Sequence, residues 1–308
     1  MDVTLATSPP LFRLAPPYES LQPLSPSDDY LLQPQGPGSS VVWQLGFGSW
    51  SAAFDVIRRR PPGMALIVVL PSKVEVDSTP QLLRVVEAAR PHSILPFHPE
   101  PHLDDLTAVL RREPEDLAVE VMDYLLWRGM NVDMDARRLI RKTVELSLEL
   151  RTVTALARSV YLSRRALGRR FLTRGLPVPS HWLHFGRILR AALRLQNTDE
   201  TLASAAYHFG YPDAFAFSNQ MYRLTRVRPS EARRFLGWEW LVEAWLQTEG
   251  STGGLSRGLS RTLVHAPSAE SRRKDASSVN DAEGMSDPKA PPPRPTRRPL
   301  SLMTKAKS

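Results

Sequence analysis

The sequence predicts a small α/β domain with a parallel sheet, followed by an all-α domain built from two helix-turn-helix units, with disordered termini at both ends. Three observations carry that reading. Residues 41 to about 113 alternate short apolar runs with amphipathic stretches, the pattern of strands and helices taking turns around a sheet. The segments TVTALARSVYLSRRALGRRF (152 to 171) and TLASAAYHFGYPDAFAFSNQMYRL (201 to 224) each show a helix, a break and a second helix. The N-terminal end is rich in Pro and the C-terminal end in Ser, Gly, Arg and Pro, and both lack a clear apolar period, as in chains that cannot bury enough surface to fold.

In chain order, residues 1 to 40 hold Pro9, Pro10, Pro16, Pro17, Pro23, Pro26, Pro34 and Pro37, and are expected to be a disordered Pro-rich segment. Residues 41 to 130 form the expected α/β domain. Within it VVWQLGF and MALIVVL are buried strands, 78 to 90 is a helix with Ser78 as N-cap, HSILPF is a short strand and 102 to 112 a further helix. Residues 131 to 249 form the double helix-turn-helix domain, which opens with a helical period at 135 to 150 and follows another at 116 to 129. Residues 250 to 308 are expected to be a disordered basic tail.

Charge is distributed unevenly. Residues 1–134 carry 10 Lys and Arg against 17 Asp and Glu, residues 135–249 carry 19 against 10, and residues 250–308 carry 11 against 5. Positive charge gathered where the paired helices lie is the footprint of a polyphosphate binder. With no cysteine, thiolate metal sites, disulfides and cysteine nucleophiles drop out. The longest apolar run, Met64 to Leu70, is too short to span a bilayer. A soluble, cytoplasmic, nucleoid-associated protein is therefore expected.

In the first unit Val153, Leu156 and Ala157 form the apolar stripe of the supporting helix, while Leu162, Leu167 and Phe171 anchor the second helix. Ser163 is its natural N-cap. Arg165 and Arg169 lie four apart on one face, with Gly168 adjoining, so these three are the expected base contacts, arginine being able to bond guanine O6 and N7 together. Arg164 and Arg170 point to the flanks and, with Ser163, are expected on phosphates. Four arginines on a helix can be an ordinary solvated face. Between Arg151 and Arg194, however, there is no Asp or Glu, which favours an anionic partner.

Residues 179 to 196 read as one long helix whose Trp182, Phe185, Ile188, Leu189 and Ala192 pack into the core and fix the spacing of the two units. In the second unit Leu202, Ala205 and Ala206 support, Gly210 makes the turn and Asp213 caps the reading helix. Phe215 and Phe217 are expected to be partly or wholly core. Asn219 and Gln220 are left as base contacts able to bond adenine, with Ser218 and Arg223 on phosphates.

Residues 135 to 235 resemble the DNA-binding domain of AraC family transcription regulators. The likeness rests on LARSVYLSRRALGRRF, on Trp182, Leu183, Arg187 and Ala191 in the linking helix, and on Gly210, Tyr211, Phe217, Val227, Pro229, Ser230 and Arg233. It implies major-groove positions at Arg165, Gly168 and Arg169 in the first helix and at Ala214, Phe215 and Asn219 in the second. Met221 stands where an aromatic is usual, Arg226 where a glycine is usual, and one extra residue lies between Gly175 and Trp182. The run IVVLPSKVEVDSTPQLLRVVEAARPHSILPF resembles the last part of a degenerate response-regulator receiver, without its phosphoacceptor Asp.

Catalytic patterns are absent: there is no Gly-rich phosphate loop and no GxSxG. His92, His98 and His102 lie near Glu100, Asp104 and Asp105 without standard ligand spacing, and read as a loop. Trp238, Trp240 and Trp245 read as a packed closing helix. The expectation is a non-enzymatic, sequence-specific transcription regulator with no cofactor. Its partner is double-stranded DNA, with RNA polymerase a candidate second partner, no membrane, and an effector, small molecule or protein, of unknown identity. Two other classes fit the same residues: a non-specific architectural DNA-binding protein using the basic tail, and a signalling adaptor whose DNA-binding half is vestigial.

Overall fold

A computed structural model describes residues 11–25, 36–45, 50–71, 79–96 and 101–260. The chain divides into two units, residues 1–265 and 266–308, and the second lies outside the described residues.

The sheet has five strands in the order β2-β1-β3-β4-β5: β1 (Leu11–Leu14), β2 (Leu21–Leu24), β3 (Ser40–Gln44), β4 (Ala65–Leu70) and β5 (Ser93–Pro96). β3, β4 and β5 run parallel, while β1 is antiparallel to both of its neighbours. The expected parallel strands are thus present, but the sheet is mixed. Alternation along β4 explains why it is apolar throughout: Leu66 and Val68 face one layer, Ala65, Ile67 and Val69 the other. The first layer is made by α1 (Trp50–Arg58) and α2 (Thr79–Ala89), which contribute Ile57, Val86 and Ala89. The second is made by Leu106 and Leu110 of α3 (Leu103–Arg111), with Leu236 from far along the chain.

The expectation of disorder over 1–40 fails at β1 and β2. Leu11, Leu14 and Leu24 are buried, Pro16 and Pro17 occupy the connection, and Pro23 sits on the edge strand β2 opposite Phe12. An edge strand tolerates the missing N–H of proline, so the prolines there punctuate two strands rather than abolish them. Ser78, the expected N-cap of α2, lies outside the described residues.

Nine helices follow among the described residues before the short α13 (Arg257–Ser260): α4 (Leu117–Trp127), α5 (Met134–Glu145), α6 (Val153–Ser159), α7 (Arg164–Leu172), α8 (Pro179–Asn197), α9 (Leu202–His208), α10 (Ala214–Thr225), α11 (Pro229–Arg234) and α12 (Glu239–Ser251). Leu117, Val121 and Leu125 of α4 belong to the helical core with Ile140 and Trp182. The helical layer therefore starts at α4, before the boundary at 130 expected from sequence. It also runs past 250, because Leu255 is buried against the same core. From 261 onward the expected tail lies outside the described residues. Among the described residues no helix is long and apolar enough to cross a membrane.

α12 is the closing helix the tryptophans suggested. Trp245 stacks on Phe185 at 4.1 Å between centroids and meets Trp182 edge-on at 4.5 Å. The helix also carries Glu239, Glu243 and Glu249, all buried. Glu239 accepts from His92 Nδ1 at 2.8 Å and lies 3.8 Å from Arg90. Glu243 takes both Arg128 Nε at 2.6 Å and Nη2 at 3.0 Å, and the Tyr124 hydroxyl at 2.8 Å, which itself accepts from Gly63 N. Glu249 meets His181 Nδ1 at 2.8 Å and Trp245 Nε1 at 3.1 Å. Backbone joins the layers as well: Gly237 N donates to Leu110 O, and Leu236 N donates to the Tyr18 hydroxyl at 2.7 Å.

The buried Arg60 is held by carbonyls. It bonds Ile57, Met64, Ala89 and Arg90 oxygens and lies over the Trp127 ring at 4.3 Å. Burial, helped by the nearby Arg90, takes its pKa down to about 9. Neither His92 nor His102 joins a ligand cluster. His92 turns inward to Glu239 and the Val109 carbonyl, and His102 stands at the start of α3 with its N–H on Asp105. His98 and Glu100 lie outside the described residues.

Both ring nitrogens of His92 face acceptors, Glu239 Oε1 and the Val109 carbonyl, an arrangement that favours the protonated ring. Burial pushes its pKa down, but the Glu239 carboxylate and the two hydrogen bonds outweigh this and raise it above 6.5. Burial also opposes ionisation of Glu239, yet His92 and Arg90 bring it down to about 2. A raised histidine contributes stability below its unfolded pKa and loses it as pH rises through the folded value. The depressed Glu239 contributes above 4.5 and loses as pH falls toward 2. Urea midpoints measured against pH should therefore fall as pH rises above 6.5 in the wild type, and His92→Gln should flatten that limb. Glu243→Ala, which strands the buried Arg128, should lower unfolding free energy by about 3–5 kcal/mol in the same assay.

Candidate nucleic-acid interface

Both helix-turn-helix units are built by the same local chemistry. Thr152 and Thr201 cap the supporting helices α6 and α9 by accepting from Ala155 N and Ser204 N. Each turn closes with a hydrogen bond back to an alanine carbonyl, Leu162 N to Ala157 O at 2.8 Å and Tyr211 N to Ala206 O at 2.9 Å. The residue inside that turn is left-handed in both: Tyr161 at φ 56° and Gly210 at φ 75°. One residue more, Pro212, separates the second turn from its reading helix. Beyond it the units realign, Ser163 and Asp213 capping α7 and α10 through Ala166 N and Ala216 N. Leu167 then answers to Phe217, and Phe171 to Met221, all four buried.

On α7 the expected surface is there. Arg164, Arg165 and Arg169 are exposed, and none has an acidic partner among the described residues. Gly168 shares their face, and a Cβ added to it would meet nothing within 4 Å, so packing does not dictate the glycine. Ser163 spends an oxygen lone pair on its cap and keeps its hydroxyl proton to donate. Arg170 differs from expectation: its guanidinium lies 2.8 Å from Asp135, with Arg174 beside it on Asp133 and Asp135 at 2.7 and 3.0 Å. Carboxylates from the start of α5 thus neutralise the trailing side of α7, although none lies nearby in sequence.

On α10 Asn219 is exposed and Ser218 half-buried. Gln220 Oε1 accepts from Arg223 Nη2 at 2.9 Å, so these two form a pair rather than two separate contacts. Phe217 is core as expected, but Phe215 is not, being 76% exposed. Sequence reasoning took two phenylalanines two residues apart as one apolar patch, whereas helical spacing sends them to different faces. Tyr222 lies 5.8 and 5.3 Å from the guanidiniums of Arg226 and Arg228. Arg226, at φ 60°, adopts the left-handed C-cap that explains why glycine is usual there.

α8 links the units with Trp182, Phe185, Ile188, Leu189 and Ala192 all buried, as read from sequence. Its buried Arg187 binds Ser147 O at 3.1 Å and Leu150 O at 3.3 Å, fixing the segment that enters α6. A direct touch between units was not legible in the sequence: a Cβ on Gly210 would fall 2.5 Å from Arg151 Nη2.

Two capped helices, each carried by a shorter supporting helix and joined by one rigid linker, define a double helix-turn-helix DNA-binding module. Residues 156–234 match a family model described as a helix-turn-helix domain, which supports an AraC-type DNA-binding domain in this part of the chain. The match leaves the sheet-bearing part of the chain uncovered, and the receiver likeness there gains no support. Comparison with curated proteins and with solved structures finds no match.

Two glycines should respond to alanine in opposite senses. Gly168→Ala places a methyl in open space inside a helix and should raise unfolding free energy by about 0.5–1 kcal/mol. Gly210→Ala forces a left-handed alanine against Arg151 and should lower it by about 1–2 kcal/mol. Urea denaturation of both variants checks the pair.

Proposed function

We propose that the protein regulates transcription by sequence-specific binding, with α7 and α10 entering two successive major-groove segments of one DNA duplex. The observation that carries this reading is the selective neutralisation on α7. Arg170 and Arg174 are paired with carboxylates, whereas Arg165 and Arg169, on the reading face, have none among the described residues. A guanidinium left without a counter-charge in a protein that has carboxylates to hand is kept for another anion or acceptor. Arg165 and Arg169 read guanine, with Gly168 letting the backbone approach, and Arg164 and the Ser163 hydroxyl hold phosphates. Arg170 adds a phosphate contact only by sharing its guanidinium with Asp135.

In the second segment Asn219 reads a base, adenine suiting its amide, while Ser218 and Arg223 hold the backbone. Gln220, joined to Arg223, contacts base and phosphate as part of that pair. The α/β part senses a signal, a small molecule or a protein, and transmits it through the buried bonds of α12. RNA polymerase is the natural second partner of a regulator acting at promoters.

Selection of bound duplexes from a random DNA library by the full chain tests the reading, and one motif with two separated half-sites is expected. Arg169→Ala should then cost about 1–3 kcal/mol at a single base position and relax preference there, whereas Arg174→Ala should leave the motif unchanged. Motif-free binding, or binding lost on removing residues 261–308 alone, would overturn it.

A further inference from the structure

The equivalence of α7 and α10 shows an apolar component in each reading face. Arg165, Gly168, Arg169 and Leu172 follow the spacing i, i+3, i+4, i+7, so Leu172 lies on the same face as the arginines. It stands about 10 Å up the axis from Arg165, roughly three base-pair steps. The counterpart of Arg165 on α10 is Phe215. Leu172 is 71% exposed and Phe215 76% exposed.

Isolated exposed apolar residues are ordinary on protein surfaces. These two differ in where they stand. Leu172 is on the face that carries the unpaired Arg165 and Arg169, and Phe215 is on the face that carries Asn219. Tyr222, which corresponds to Leu172, has Arg226 and Arg228 beside its ring. Leu172 and Phe215 have no polar atom on the side chain with which to meet a phosphate or a base edge. The one apolar group the major groove offers is the thymine 5-methyl.

We propose that Leu172 and Phe215 are specificity-determining residues that each read the methyl group of a thymine, Leu172 in the segment read by α7 and Phe215 in the segment read by α10. This rests on the sequence-specific reading above and adds a thymine to each half-site. In the first half-site the thymine lies on the side reached by the C-terminal turn of α7. In the second it lies at the N-terminal turn of α10, where the first unit places an arginine.

The test uses the selected duplex and the full-length chain. Each thymine is replaced in turn by deoxyuridine, which removes the methyl and keeps the base pair, and Kd is measured for wild type, Leu172→Ala and Phe215→Ala. Both side chains are exposed, so neither variant removes core packing. One deoxyuridine substitution in each half-site should weaken wild-type binding about fourfold, the worth of one buried methyl. The effect in the first half-site should vanish in Leu172→Ala and that in the second in Phe215→Ala. Uniform indifference to deoxyuridine, or methyl effects that persist in the variants, overturns the proposal while leaving a selected motif intact. Failure to select any motif overturns the underlying reading together with it.

Discussion

Three carboxylates buried on one helix set the conditions under which the rest of this chain can fold. An ionised carboxylate taken out of water costs several kcal/mol unless its charge and lone pairs are met. α12 draws its partners from separate places: His92 and Arg90 beside the sheet, Arg128 and Tyr124 from α4, and His181 from the linker helix α8, with only Glu249 Oε2 of the three acids left unmet among the described residues. Folding the helix with its acids paired requires all three neighbours to be in position. The sheet, the first helical pair and the DNA-binding module therefore share one buried electrostatic frame, reinforced by the Trp245 stack on Phe185.

That frame also fixes the helices that carry the exposed arginines and Asn219. Glu249 and Trp245 of α12 touch His181, Trp182 and Phe185 on the first turns of α8, and α8 sets the spacing of the reading helices. Arg187 of the same helix holds the carbonyls just before α6, while Arg151 abuts the turn of the second unit. The reading helices are positioned by these contacts together with their short supporting helices, each of seven residues.

Much of this was legible in the sequence, and what was not has specific causes. β4 announced itself by an unbroken apolar run, and the caps Ser163 and Asp213 located α7 and α10. β1 and β2 hid because proline was taken as a mark of disorder, though an edge strand tolerates it. Glu239, Glu243 and Glu249 read as ordinary solvent-facing charges between tryptophans, since their charged partners Arg90, His92, Arg128 and His181 lie far upstream in the sequence. The sequence window around α7 is empty of acids, but Asp135 arrives from upstream and claims Arg170, while Asp133 pairs with Arg174. Phe215 was misplaced because hydrophobicity was allowed to outvote helical geometry. Arg165, Gly168, Arg169 and Asn219 fell where spacing put them.

The extra Pro212 and the unlike side chains at matching positions carry a consequence for the shape of the problem this protein solves. Two units alike in plan differ in substance, with Arg165 answered by Phe215 and Arg169 by Asn219. Turning the duplex end for end would offer each helix the other's bases. A single chain of this kind therefore has a polarity: its two reading faces are not interchangeable.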